Sequence, residues 1–208
     1  MSNFALAELG RYARTRLVCR RVVALWLLLI GALLAAAPVP PLGSVLAEAG
    51  FLGLAIALLR LWDDLADLPH DRAKHPHRVL ATSSNLTCFR ALAGIGLPLL
   101  GLALLPDLRR VVVYGALLGI LAWLYHGRMA ADLSRPARTY LVLVKYPVLV
   151  FVGGAGPSAR ALLVGLVFYG LLCIHEWHDD QELQAASSGQ AGLAVGVGSV
   201  IIALLFLT

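Results

Sequence analysis

Seven apolar runs bounded by charged residues or by Pro and Gly make up most of this chain, at about 22 to 37, 44 to 62, 86 to 105, 109 to 126, 138 to 156, 160 to 177 and 191 to 207. A helix that crosses a bilayer needs roughly 20 apolar residues, so these runs predict membrane helices and leave no room for a sizeable water-soluble domain. Composition agrees: 60% of the 208 residues are apolar, 14% are charged and the mean hydropathy is +0.82, well above soluble globular domains. A helix lets a single apolar run satisfy its own backbone polar groups in hydrocarbon. The expected class is therefore all-α, a polytopic transmembrane bundle of about seven helices forming one domain over 1–208. The first run also fits a signal peptide, with Arg16, Arg20 and Arg21 before it and Ala35-Ala36-Ala37 after it. With so many later runs, a first membrane helix is the simpler reading.

In such a chain the net charge of +5 reports orientation, and nucleic-acid binding is excluded as its meaning. With the amino-terminal arm placed inside, the bases Arg11, Arg14, Arg16, Arg20, Arg21, Arg60, Arg72, Lys74, Arg78, Arg90, Arg128, Arg135 and Arg138 all fall inside, thirteen of 17. Arg109, Arg110 and Arg160 fall outside, and Lys145 lies within a run. The bias predicts a cytoplasmic basic arm at 1–20 and an outside carboxyl terminus, with a bacterial inner membrane as the expected location. Cys19, Cys88 and Cys173 are too few and too scattered for a disulfide framework or zinc ribbon. They read as small packing residues or as a reactive thiol.

Of the 12 acids, eight fall in two clusters: Asp63, Asp64, Asp67 and Asp71, then Glu176, Asp179, Asp180 and Glu182. Both are placed on the cytoplasmic side, each beyond the end of an even-numbered run. In the first, a helix continuing past Trp62 puts Asp63 and Asp67 on one face, and Pro69 bends or ends it, leaving Asp71 on the turn beyond. Like charges so spaced repel, more strongly beside a membrane interior, so something cationic must compensate them. Arg60, Arg72, Lys74 and Arg78 supply one answer as a structural network. A divalent ion is the other: an all-carboxylate donor set suits Mg²⁺, which keeps positions that substrate phosphates fill. Interleaved bases would then take the remaining phosphate oxygens.

In the second cluster Glu176 and Asp180 are four apart and share a face if helical, with Asp179 beside them; the pair of clusters could hold ions around one diphosphate. The text His175-Glu176-Trp177-His178 departs from a zinc-protease H-E-x-x-H. The six histidines, His70, His75, His77, His126, His175 and His178, are sparse for a membrane di-iron oxygenase. Lys145 stands alone in a membrane run, as a functional cation or one that snorkels to the interface. Tyr125, Tyr140 and Tyr146 read as interface-belt residues or as hydrogen-bond donors to the same anion.

The D-D-x-x-D-x-x-x-D run of Asp63, Asp64, Asp67 and Asp71, followed by Arg72 and His75-Pro76-His77-Arg78, resembles the first aspartate-rich motif of the UbiA superfamily of intramembrane prenyltransferases. Glu176-Trp-His-Asp179-Asp180 resembles the second motif, with Glu176 in place of its first aspartate, and Lys145 with Tyr140 or Tyr125 resembles the family's Tyr/Lys element. The resemblance covers about Arg20 to the end. Members usually have about nine membrane helices, two more than the runs here. The resemblance implies a bundle around a central cavity, with Mg²⁺ held by Asp63, Asp64, Asp67, Asp71, Glu176, Asp179 and Asp180. It also implies an isoprenoid diphosphate clamped by Arg60, Arg72, Lys74, Arg78, Tyr140 and Lys145, with Asp63, Asp67, Asp71, Asp180 and Lys145 as the catalytic set. Loss of diphosphate would give an allylic cation, captured by an aromatic or other lipophilic acceptor or, in a terpene cyclase, by the prenyl chain's own double bond. A non-catalytic cation- or lipid-headgroup-binding scaffold is the alternative from another class.

Overall fold

The computed structural model describes residues 3–36, 41–105, 107–127, 133–153 and 158–207. Ala37 and Arg128 lie outside them, as does the side chain of Glu182. All elements among the described residues are helical, as the backbone argument requires. In chain order they are α1 (Asn3–Tyr12), a π-helical turn (Ala13–Leu17), α2 (Arg20–Ala36), α3 (Leu42–Ala66), α4 (Leu68–Lys74), α5 (Val79–Thr82) and α6 (Leu86–Leu102). There follow α7 (Leu108–His126), α8 (Arg135–Leu143), α9 (Lys145–Val152), α10 (Ala159–Asp179), α11 (Gln181–Ala185) and α12 (Ser187–Leu207). Contacts divide the chain into two compact units, Met1–Ile30 with Val45–Ala103, and Gly31–Ser44 with Leu104–Thr208.

Each expected run contains helix among the described residues, but not each is one long helix. Among the described residues, four helices are long and apolar enough to cross a membrane: Leu42–Ala66, Leu108–His126, Ala159–Asp179 and Ser187–Phe206. The pair Ala5–Leu17 and Arg20–Ala36 makes a fifth if counted as one span, although it bends by 67°. The expected third span, α6, has 17 residues; at about 1.5 Å per residue it covers about 26 Å, short of a bilayer core of roughly 30 Å. The expected fifth span is broken at Val144 into α8 and α9. Pro147 explains the break: it has no N–H for the Leu143 carbonyl and its ring crowds that oxygen. The chain restarts its helix at Lys145, placing Pro147 in the first turn of α9, where an N–H has no intrahelical partner anyway.

In the first unit, Tyr12, Leu61, Leu68, Val79, Leu80, Phe89 and Ala93 form a buried cluster, with the Tyr12 and Phe89 rings edge to face at 5.7 Å. The arm expected over 1–20 is thus largely folded structure, with Tyr12 in a core. Nearby, a Cβ on Gly96 would lie 2.9 Å from a terminal methyl of Leu58, so a larger residue there would make the Leu58 side chain turn aside.

In the second unit α10 and α12 pack through small residues. A Cβ on Gly170 would collide with the Gly196 carbonyl, and one on Gly196 would lie 2.6 Å from Cys173 Cβ. Membrane helices have little hydrophobic drive to associate and rely on such close approach for dispersion contact. Cys173 is fully buried at this seam, which favours its packing role. The Asp107 carboxylate caps α7 by accepting from the N–H groups of Arg109 and Arg110, at 3.0 and 3.4 Å. Ser158 caps α10 through the Ala161 N–H.

Candidate functional site

The first acidic segment lies where α3 runs into α4. Asp63 and Asp64 occupy the last turn of α3, Asp67 sits at the bend, and Asp71 lies within α4. Backbone hydrogen bonds link the aspartates across the bend: Asp67 N–H to Asp63 O at 2.9 Å, Asp71 N–H to Asp67 O at 2.9 Å and His75 N–H to Asp71 O at 2.7 Å. One expectation is corrected here. Pro69 does not leave Asp71 on a turn beyond the helix; it opens α4 from its first turn, and Asp71 is helical and buried. Asp63, Asp67 and Asp71 therefore succeed one another at one-turn intervals.

This is an electrostatically costly place for acids. The carboxyl end of a helix carries its partial negative charge, and an anion there loses about 0.3–1 kcal/mol. Asp64 and Asp71 have cationic partners. Arg16 donates from Nε to Asp64 Oδ2 at 2.9 Å and from Nη2 to Oδ1 at 2.5 Å, and the Tyr12 hydroxyl donates to the same Oδ2 at 2.9 Å. Arg78 Nη1 donates to Asp71 Oδ1 at 2.5 Å. Asp67 faces outward at the bend, yet partial enclosure of its carboxyl, and then the charges on Asp63, Asp71 and Asp64, raise it above the ordinary carboxylate range. Arg60, one turn before Asp63 and Asp64, is half-buried, and its Nε is buried with no hydrogen-bond partner among the described residues. Arg72 and Lys74 are exposed on α4.

The second acidic segment ends α10. Glu176 lies in its last turn, Asp179 is its final residue, and Asp180 follows with an extended backbone (φ −118°, ψ 108°). Glu176 and Asp180 were expected on one helical face; the Asp180 N–H still bonds the Glu176 carbonyl at 3.0 Å, but its own dihedrals leave the helix. The Asp180 carboxylate accepts from the Leu183 N–H at 3.4 Å and lies 4.0 Å from Arg135 Nη2. The Trp177 indole N–H, which the sequence reading passed over, is buried with no partner among the described residues.

Lys145 is 2% exposed, packed within the protein, and its ammonium lies 5.1 Å from the centroid of the Tyr146 ring, a cation–π distance. Tyr140 is buried, donates its hydroxyl to the Gly189 carbonyl at 3.1 Å and accepts at its own carbonyl from Tyr169. Its ring fills the space beside Gly192. The hydroxyl assigned to substrate is thus engaged in holding α8 to α12.

The acids of both segments offer carboxylate oxygens alone, the chemistry of a hard ion such as Mg²⁺. Asp63 and Asp67, a turn apart and crowded by like charge, fit a largely hydrated Mg²⁺ held by one or two carboxylates. Among the described residues no three His, Cys, Asp or Glu side chains are gathered closely enough to hold a metal by themselves. Comparison with models of known families, with curated proteins and with solved structures gives no match to this chain.

Proposed function

We propose that this chain is a Mg²⁺-dependent intramembrane prenyltransferase that ionises an isoprenoid diphosphate and passes the prenyl group to a lipophilic acceptor. The proposal includes a UbiA-like bundle of up to seven crossings with a prenyl-chain cavity, in a bacterial inner membrane with the acidic segments cytoplasmic. One observation carries it: three aspartates, Asp63, Asp67 and Asp71, stand on successive turns at the negative end of an apolar helix. Arg60 lies one turn earlier, with a buried Nε that has no acceptor among the described residues. Acids so placed cost stability, and a cation-bearing anion relieves both the acids and the arginine.

In this reading Asp63 and Asp67 hold Mg²⁺, which when bound neutralises the leaving diphosphate. Arg60 and Arg72 bind and orient the anion's free oxygens, with Arg78 beside Asp71. Apolar side chains of the helices exclude water, so that the allylic cation meets acceptor rather than solvent. The test is diphosphate release by the purified protein from prenyl diphosphates of several lengths, with and without Mg²⁺, and product mass. Mg²⁺-dependent release, lost in Asp67→Asn, supports the proposal. A heavier adduct identifies transfer and a hydrocarbon identifies cyclisation. The same assay on Asp180→Asn and Lys145→Met decides whether those residues take part.

A second reading has its own observation. The Arg16–Asp64 and Arg78–Asp71 pairs are what a structural charge network would show, in a membrane scaffold without catalysis. No release with any donor would select it.

A further inference from the structure

The amino-terminal segment, read from sequence as an orientation signal, is fastened to the acidic segment at two places. At one, the Asp64 carboxylate receives three hydrogen bonds, from Tyr12 Oη and from Nε and Nη2 of Arg16. At the other, the Ser83 hydroxyl donates to Glu8 Oε2 at 2.6 Å and Asn85 Nδ2 donates to the same oxygen at 3.2 Å. Tyr12, Glu8, Asp64 and Ser83 are all 9% exposed or less. The two fastenings bracket α4 and α5, and with them Asp67 and Asp71. Arg16 reaches Asp64 from the π-helical turn, whose wider i→i−5 bond is closed by Val18 N–H on Ala13 O at 2.9 Å. The chain then swings 67° into α2.

Asp64 differs from its neighbours in how far it is occupied. A carboxylate offers about four acceptor positions, and three are filled from within the chain, two by one planar guanidinium. We infer that Asp64 is the anchor of a clasp formed by Glu8, Tyr12 and Arg16, and serves neither as a metal nor as a diphosphate ligand. The clasp fixes the acidic segment at both ends and so sets where Asp63, Asp67 and Asp71 stand. The roles assigned rest on the Mg²⁺–diphosphate reading; the clasp itself does not.

The experiment pairs amide hydrogen exchange of the full chain in lipid nanodiscs with Mg²⁺ titration of diphosphate release from a prenyl diphosphate. Arg16→Ala is expected to raise exchange over residues 68–85 by tenfold or more, Arg16→Lys by less, and the swap Arg16→Asp with Asp64→Arg to recover most of the protection. Tyr12→Phe, which removes one bond and keeps the ring against Phe89, reads the same exchange if Arg16→Ala does not fold. In the titration Asp64→Asn lowers kcat at least tenfold while the half-saturating Mg²⁺ stays within twofold of wild type. Asp67→Asn raises the half-saturating Mg²⁺ tenfold or more. Exchange within twofold of wild type in Arg16→Lys and Tyr12→Phe as well as Arg16→Ala overturns the clasp, and so does a Mg²⁺ requirement in Asp64→Asn that shifts as in Asp67→Asn. If the wild-type chain releases no diphosphate from any donor, the proposed function falls and the exchange measurements alone decide the clasp.

Discussion

Replacing Arg78 with Met keeps most of the apolar stem and deletes the charge that faces Asp71. The two side chains meet at 2.5 Å, with Asp71 5% exposed and Arg78 33% exposed. Removing one partner of a buried ion pair costs about 3–5 kcal/mol, because the other charge is left in a poorly solvating site. Arg78 is a third exposed, so water enters where its head group stood, and the expected cost is about 2–3 kcal/mol. For a chain of this size each kcal/mol lowers the melting temperature by about 2–4 °C, which gives a fall of roughly 5–10 °C. Adding Asp71→Asn removes the orphaned charge and should return at least half of the loss, whereas Asp71→Asn alone should cost less than Arg78→Met, since the freed guanidinium can turn to water. The assay is thermal unfolding in one detergent at one ionic strength. An Arg78→Met chain melting within 2 °C of wild type, or a double variant no more stable than the single one, would show that burial of Asp71 does not make it depend on Arg78.

The raised Asp67 carboxyl makes a pH prediction. An acid that binds its proton more tightly folded than unfolded destabilises the fold once ionised, so stability falls as pH rises from the ordinary carboxylate value through the raised one. Asp67→Asn should therefore melt higher than wild type at neutral pH, with the gain vanishing below the ordinary carboxylate range; equal melting at both pH values refutes it. Gly196→Val inserts bulk where a Cβ would already lie 2.6 Å from Cys173 and should cost about 1–3 kcal/mol or more. Gly198→Ala, with open space around it, should be neutral or stabilising by about 0.5–1 kcal/mol; a melting scan of the two side by side checks both. Asp107→Ala removes the cap of α7 and should lose about 1 kcal/mol, read from denaturant unfolding monitored by helical circular dichroism.

Much of the architecture was legible because bilayer solvation acts on local sequence. A long apolar run in hydrocarbon satisfies its own backbone groups by forming helix, and each of the seven runs contains helix among the described residues. Among the described residues four helices, or five with the bent pair, are long and apolar enough to cross, a count that run length alone does not give because it ignores breaks. Pro147 was the visible signal for the one at Val144, and the 17-residue α6 was measurably short. The spacing of Glu8, Tyr12 and Arg16, four residues apart in turn, was a legible polar face that went unread because the arginines already had a meaning as topology signals. Tyr140 reads from sequence as an interface-belt residue or as a donor to an anion; the fold instead brings its hydroxyl to the Gly189 carbonyl, 49 residues away. Trp177 gave no signal, since tryptophans beside membrane ends are common.

Sequence by itself determined the helical class, the membrane character and the placing of acids at the ends of apolar helices, since each depends on residues within a few turns of one another. Tertiary structure alone decided which partners reach an acid from far along the chain. Asp64 is met by Arg16 from 48 residues away and Glu8 by Ser83 from 75. Local periodicity carries no information about such pairings, because what drives them is removal of a charge from water among neighbours that only the folded chain supplies.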